Sequence, residues 1–498
     1  MNVSSLKKGG LALAAGAALA LSMPGFSFGP LSLIGLVPLF FALERKGGFG
    51  LGFIAGLAFF AIDLRWLLTL SRFNSLVLPG YLAVACLLAV YHGLFGAIAA
   101  RVLRRQEGSW RLLILAPVAY TGLEILRTFG PIGNGFSALY QSFYRFPEMI
   151  QLAAYLGPWS ISLAIVLVNA CIYLAAHGRR IFLVCAFGVI GLLLLFALLP
   201  VDPGHGRVTV SVASSDVSQE VKMDGRNLDD LLDMYIALGK EAAEADPDLI
   251  VFPESILPVY ILRDGTVLGR FADLARQAGS RILFGTGDML GGEIFNSTVL
   301  LSPSGGVLGT YRMVRPVPFG EYIPGRRLLE HVGLGGFVAS LLPKDLTRGT
   351  GFFPIEEIGT PICFESTMPE ASRSFSARGS ELIVTVTNDA WFGGSSELQS
   401  HFAAGVFRAV ENRRCFAQAA NGGISGFIDS RGRIVDERLG EGVLTSDLVL
   451  SSARSTYTRV GDWPVYFLLL AFGLGFAVRE AHAWISGRVK RDPSPYRR

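Results

Sequence analysis

Apolar residues run almost without a break through the first two hundred positions and return once near the end of the chain. The runs fall near 9–26, 29–44, 49–70, 78–100, 112–128, 150–176 and 181–200, with a last one near 464–486. Most are long enough for the ~20 apolar residues that a helix needs to cross a hydrocarbon core, although the second is short and the first is rich in Ala and Gly. The competing reading, a succession of soluble core helices, would require each to lack a polar face. The pattern therefore predicts about eight transmembrane helices. Between 206 and 455 the period changes. Short β-rich runs at 208–214, 249–253, 281–287, 298–302, 353–358, 360–365 and 382–387 alternate with amphipathic stretches at 227–245, 266–278, 369–378 and 398–413, and strands close the region over 416–438. Alternation of this kind predicts a layered α/β domain. The division expected is 1–205 for seven transmembrane helices, 206–455 for the α/β domain, and 456–498 for a last helix with a basic tail. The Gly- and Leu-rich segment 326–352 looks too irregular for a helix and reads either as an apolar lid touching lipid or as a long loop.

Composition agrees with a membrane protein. Of the 498 residues 51% are hydrophobic and only 17% charged, and the mean hydropathy is +0.46. The basic residues orient the helices. Lys7 and Lys8 precede the first run, Arg45 and Lys46 follow the second, and Arg101, Arg104, Arg105 and Arg111 join the fourth to the fifth. Arg179 and Arg180 join the sixth to the seventh, and Arg488, Lys490, Arg491, Arg497 and Arg498 close the chain. With an even number of spans all these clusters share one side, which the positive-inside rule makes cytoplasmic, so that 201–463 lies outside. The first run could instead be a cleaved signal peptide, which would leave this placement unchanged; the second run follows so closely that retention is expected. No basic, aromatic-laced stripe marks the external domain, so no nucleic-acid partner is expected.

The chemistry collects after the predicted strands. Cys363 ends an apolar run, followed by Phe364 and Glu365; Glu254 ends Val-Phe-Pro-Glu, Glu321 ends Pro-Phe-Gly-Glu, and Asn388 opens Asn-Asp-Ala-Trp-Phe-Gly. A thiol among carboxylates suits covalent acyl chemistry, since a thiolate attacks a carbonyl and a carboxylate can move its proton. Each residue also has a bland reading. Cys363 could be core or bridged to Cys415, the glutamates could pair with arginines, Trp391 could pack the core, and His401 lies inside a helical stretch. No His/Cys/Asp cluster at ligand spacing is evident, so neither a metal nor another cofactor is expected.

The ordered set of four motifs resembles the nitrilase superfamily. Together with Arg408-Ala-Val-Glu-Asn-Arg-Arg414, Ala420-Asn-Gly-Gly423, Gly122-Leu-Glu-Ile-Leu-Arg127, Leu139-Tyr-Gln141 and the eight-span frame, it resembles the apolipoprotein N-acyltransferase family. The resemblance implies an αββα sandwich carried by a transmembrane bundle in a bacterial inner membrane. It also implies transfer of a fatty acyl group from a phospholipid, through a Cys363 thioester, to the N-terminal amine of an S-diacylglyceryl cysteine on a lipoprotein. Carried over residue by residue, it makes Cys363 the nucleophile and Glu254 the general base, with Glu321, Glu365 and Glu411 as supporting carboxylates and Phe364 lining the substrate pocket; Trp391 and Arg312 are further supporting candidates.

One position departs. The family's pattern places a Lys eight residues before the second Glu, where this chain has Met313. A thioether carries no charge and donates no hydrogen bond, and one lost oxyanion donor typically costs ~10²–10³ in rate. Lys222, Lys240 and Lys344, the only lysines of the external domain, stand near no motif. Arg312 and Arg315 flank Met313, and strand alternation puts Arg315 on its face, which makes Arg315 the expected substitute cation. The alternative is an impaired relative that binds lipoprotein or phospholipid without turnover.

Overall fold

The computed structural model describes residues 3–44, 47–104, 109–133 and 135–489. Arg45, Lys46, Arg105, Lys490, Arg491, Arg497 and Arg498, used above for orientation, lie outside the described residues. Each apolar run is helical over most of its length: Val3–Ser22, Val37–Leu43, Gly48–Asp63, Val77–Arg104, Ser109–Leu126, Trp159–Ala176, Ile181–Ala197 and Trp463–Val489. Among the described residues three helices, Gly48–Arg72, Val77–Arg104 and Trp159–Ala176, are long and apolar enough to cross a membrane. Small residues let backbones approach in this half. A Cβ on Gly52 would run into the His92 carbonyl, and one on Gly96 into that of Gly48. The predicted 150–176 helix starts only at Trp159, because Gly157 takes φ 78° and Pro158 follows it.

The intervening domain holds two sheets. The first contains β1 (Gly206–Ser214), β2 (Leu249–Val251), β3 (Arg281–Leu290), β4 (Glu293–Leu301) and β5 (Val307–Arg312), with β11 (Gly442–Leu450) beside β1. The second runs in the order β10 (Ile434–Leu439), β9 (Ile424–Ile428), β8 (Cys415–Asn421), β7 (Leu382–Asn388) and β6 (Ile358–Gly359). β1, β2 and β3 are parallel, as are β6, β7 and β8. Period-two alternation separates two cores. Val210, Val212, Leu249 and Val251 pack between the sheets with Val384, Val386 and Ala417. Ala213, Ile250, Phe252 and Phe284 point the other way, onto the helices Leu228–Ala243 and Gly265–Ala278. The latter helix starts where Asp264 accepts from the N–H groups of Thr266 and Val267 and stops at Gly279 with φ 64°, an N-cap and a left-handed C-terminal glycine.

The second sheet carries the helices Pro369–Ala377 and Glu397–Asn412, which completes an αββα sandwich. All of Glu397–Asn412 except Gln399 is buried, because its outer side meets the membrane half; the Phe407 ring lies 4.8 Å from that of Tyr140. The predicted strands 353–358 and 360–365 shrink to Ile358–Gly359, since Pro354 and Pro361 cannot donate to a ladder. Segment 326–352, expected to be irregular, is helical over Arg326–Leu329 and Gly335–Leu341, with a kink at Gly333 (φ 86°) that breaks the period. β5, β11 and the short helix Gln219–Met223 were not foreseen.

Candidate active site

Parallel strands bring their C-terminal ends together, and the motifs sit there. Glu254 follows β2, Cys363 follows β6, and Asn388 ends β7. Cys363 takes φ 47° at the start of a 3-10 turn, Cys363–Thr367. A left-handed conformation in a residue with a side chain is strained, and neighbours hold it in place. The Arg408 guanidinium donates to the carbonyls of Ser366 and Thr367 while pairing with Glu411 at 2.5 Å, both fully buried. Glu411 thus braces the turn after the thiol through Arg408. Glu365 is another brace. Its carboxylate accepts from the N–H groups of Ile362, Val314 and Arg315 and from the Tyr311 hydroxyl, tying the nucleophile loop to the end of β5. Burial pushes Glu365 up to about 7.

One flank of Cys363 is a carboxylate–amide cluster. The Asn296 amide, on β4, donates to Glu254 Oε1 at 2.6 Å and to Glu321 Oε1 at 3.0 Å. The second oxygen of Glu254 accepts from the Asn388 N–H, and that of Glu321 from the Val317 N–H. Burial and the charge of Glu254 push Glu321 up to about 7. Burial also raises Glu254, against the pull of Asn296, Lys222 and the Asn388 N–H. The Cys363 thiol is pushed well above its ordinary value by burial and by the charges of Glu254 and Asp389. At neutral pH it is a thiol, so attack needs a base that takes the proton as the bond forms. Gly285 allows the close approach of Glu254, since a Cβ there would meet the Glu254 Cα at 2.5 Å.

The other flank is ionic. His401 Nδ1 meets Asp389 Oδ1 at 2.9 Å, with Glu397 at 3.9 Å, and Nε2 lies 3.0 Å from the Cys363 carbonyl and 2.9 Å from the Ser366 hydroxyl. Burial alone would lower His401, but the charge of Asp389, its hydrogen bond and Glu397 carry it up to about 10. An imidazolium of this kind donates from both nitrogens and is no general base. Asp389, Glu397 and His401 bring one ligand atom each within 4.8 Å of the others, a cluster that the sequence spacing did not reveal. His401 spends both nitrogens on protein partners, so the arrangement is a hydrogen-bonded His401–Asp389 pair with the Glu397 carboxyl beside it, raised to about 8 by burial and by the charge of Asp389.

The expected substitute cation is elsewhere. The Arg315 guanidinium pairs with Glu370 at 2.8 Å and is 43% exposed, so only its backbone N–H serves the site, through Glu365. Beyond Met313 the strand has ended, and two-residue alternation no longer applies. Arg312 pairs with Asp288. Met313 itself is buried against the Asn296 amide, 3.8 Å from it. Lys222, which stands near no motif in the sequence, is 3% exposed and donates from Nζ to the Glu254 carbonyl at 3.0 Å. The signal for it was topological: β1 and β2 are parallel neighbours, so the loops that follow them, one with Lys222 and one with Glu254, emerge side by side. Asn296 had no sequence signal, because the register of β4 on β5 decides its place.

Aromatic residues from the membrane half wall the site. Phe364 packs on Phe136 (centroids 5.7 Å), and Phe392 on Trp66 (5.2 Å). Trp391, a supporting candidate for which core packing is the competing reading, is 36% exposed and packs on Phe73, while Arg72 donates to the Ala390 carbonyl. Cys363 and Cys415 are both free thiols.

Two family patterns match the chain: the apolipoprotein N-acyltransferase N-terminal domain over residues 15–171 and the carbon-nitrogen hydrolase domain over residues 212–458. Similar proteins include the apolipoprotein N-acyltransferase of Geobacter metallireducens, 34% identical over 91% of each chain. Others are the proteins of that name from Thermotoga maritima, 30% identical over 92% of this chain and 91% of the relative, and Allorhizobium ampelinum, 31% identical over 93% and 94%.

Proposed function

We propose how this chain, which belongs to the apolipoprotein N-acyltransferase family, carries out lipoprotein N-acylation: Cys363 carries the acyl group and Glu254 moves the protons. The protein is an acyltransferase built on a carbon–nitrogen hydrolase domain. In the first half-reaction Glu254 takes the thiol proton as Cys363 Sγ attacks an ester carbonyl of a membrane phospholipid. The tetrahedral intermediate expels the lysophospholipid alkoxide, which receives that proton, and a thioester remains. In the second, the α-amine of the diacylglyceryl cysteine attacks the thioester and gives a proton to Glu254; the C–S bond breaks, Glu254 returns that proton to the departing Cys363 sulfur, and an amide remains. The observation that carries this reading is a single one: a cysteine in a left-handed backbone conformation stands at the strand ends beside the buried carboxylate of Glu254, whose charge acts on its thiol. Phe364, Phe136 and Trp391, at the seam with the membrane half, suit an acyl chain arriving from lipid.

The basic residues support a bacterial cytoplasmic membrane, with the catalytic domain on its outer face. Labelled phospholipid incubated with the purified protein tests the chemistry. A hydroxylamine-labile acyl adduct on Cys363 is expected, absent in Cys363→Ala. A wild type without adduct would instead favour binding without turnover.

A further inference from the structure

We infer that Lys222 is a positioning residue for this reaction: its ammonium, reaching Glu254 from the loop after β1, supplies the charge that the resemblance places at the position occupied by Met313. The inference rests on Glu254 being the base for Cys363. The helix Gln219–Met223 starts where the Ser218 hydroxyl accepts from the Val221 N–H, and it carries Lys222 inward to the back of Glu254. There the ammonium has one hydrogen bond, to the Glu254 carbonyl, and the Glu254 carboxylate as its charged neighbour.

The other cations of the domain near the site are committed elsewhere. Arg312 is held by Asp288, Arg315 by Glu370, Arg408 by Glu411 and His401 by Asp389, while Lys344 donates to the Gly292 carbonyl. The titratable groups facing Glu254 are Lys222, Asp389, Glu321 and Cys363. Two of these are acids that oppose its ionisation and one is a thiol, so Lys222 is the one charged group among them that favours the anion, adding to the hydrogen bonds from the Asn296 amide and the Asn388 N–H. Without that anion the thiol, itself raised, has no acceptor for its proton. The carbonyl bond also fixes the backbone of Glu254, which stands against Gly285 on the other side.

The pH dependence of thioester formation separates this role from simple packing. An opposite charge nearby lowers a carboxyl's pKa, by 1–3 units within ~4–6 Å. In the full-length protein with labelled phospholipid, Lys222→Met is expected to move the acid limb of the rate upward by about one pH unit, a ~10-fold loss below the limb. The rate should recover at higher pH. Met313→Lys, which adds a cation beside Asn296, is expected to move the limb downward and to restore it in the double variant. A Lys222→Met protein slowed equally at every pH would overturn the inference. If Lys222→Met does not fold, as read by its melting temperature, Met313→Lys decides: a lowered limb supports the charge role and an unmoved limb overturns it. A wild type that forms no thioester at any pH fails differently, because it removes Cys363 itself from the reaction and this inference with it.

Discussion

On the Glu254 side of Cys363, two buried carboxylates share one amide and none of their partners fixes a proton firmly. On the His401 side, an imidazolium is held by Asp389 at Nδ1, with Glu397 close by, and anchored through Nε2 to the nucleophile's own carbonyl. Both sides bury charge at comparable depth, yet burial has opposite results. Glu254 and Glu321 rise because water is lost and their remaining neighbours are mostly neutral or acidic, which brings Glu321 to about 7. His401 also loses water, but an acid in hydrogen-bond contact more than compensates. A raised carboxyl and a raised imidazole are therefore built on two sides of one cysteine, from the same kinds of side chain. The difference is whether an opposite charge is in direct contact or stands behind the backbone, as Lys222 does.

Variants on each side break that contrast in order of effect. Glu254→Gln keeps the shape and removes the proton acceptor; thioester formation is expected to fall by ~10²–10⁴, with little change in melting temperature. His401→Gln should act on stability first. Removing one partner of a buried ion pair costs about 3–5 kcal/mol, measurable by denaturant unfolding. The sign with pH is defined. His401 binds its proton more tightly folded (about 10) than free (6.5), so its contribution is full below the free value. It fades as pH rises and is gone above the folded value. The gap between wild type and His401→Gln should therefore close toward pH 10. If His401→Gln instead shifted the acid limb of acylation, the division between a reactive and a structural flank would be wrong. The smallest effect belongs to Arg315→Ala. Its ion pair with Glu370 is partly exposed, a kind typically worth ~0–1 kcal/mol, and its backbone N–H to Glu365 is kept. The thioester rate should stay near that of the wild type.

The contrast between Arg315 and Lys222 also shows where the chain is legible. Arg315 follows from alternation along a strand, a local rule, but β5 ends at Arg312. Lys222 is hidden by its distance along the chain. It lies more than a hundred residues before Cys363, and only the parallel pairing of β1 with β2 brings it to Glu254. The same holds for Asn296, brought to Met313 across the β4–β5 ladder, where the Met313 N–H donates to the Asn296 carbonyl at 2.8 Å. The His401 cluster joins the end of β7 to a helix that begins nine residues later, after a turn whose course the spacing does not describe. By contrast, the strands before Glu254 and the helices at 228–243, 265–278 and 397–412 were readable, because burial on one face leaves a periodic trace.

Taken alone, the order of residues determined the apolar helices, the layered α/β domain and the identities of Cys363, Glu254, Glu321 and Glu365 as candidates, since hydrophobic period and strand-end motifs are local properties. Tertiary structure decided which cation stands by the base, which histidine is locked in an ion pair, and which aromatic rings from the membrane half wall the nucleophile. Those are contacts between segments far apart in the chain. Their energies depend on distance and on exclusion of water, and neither is set until the sheets have paired and the two halves have met.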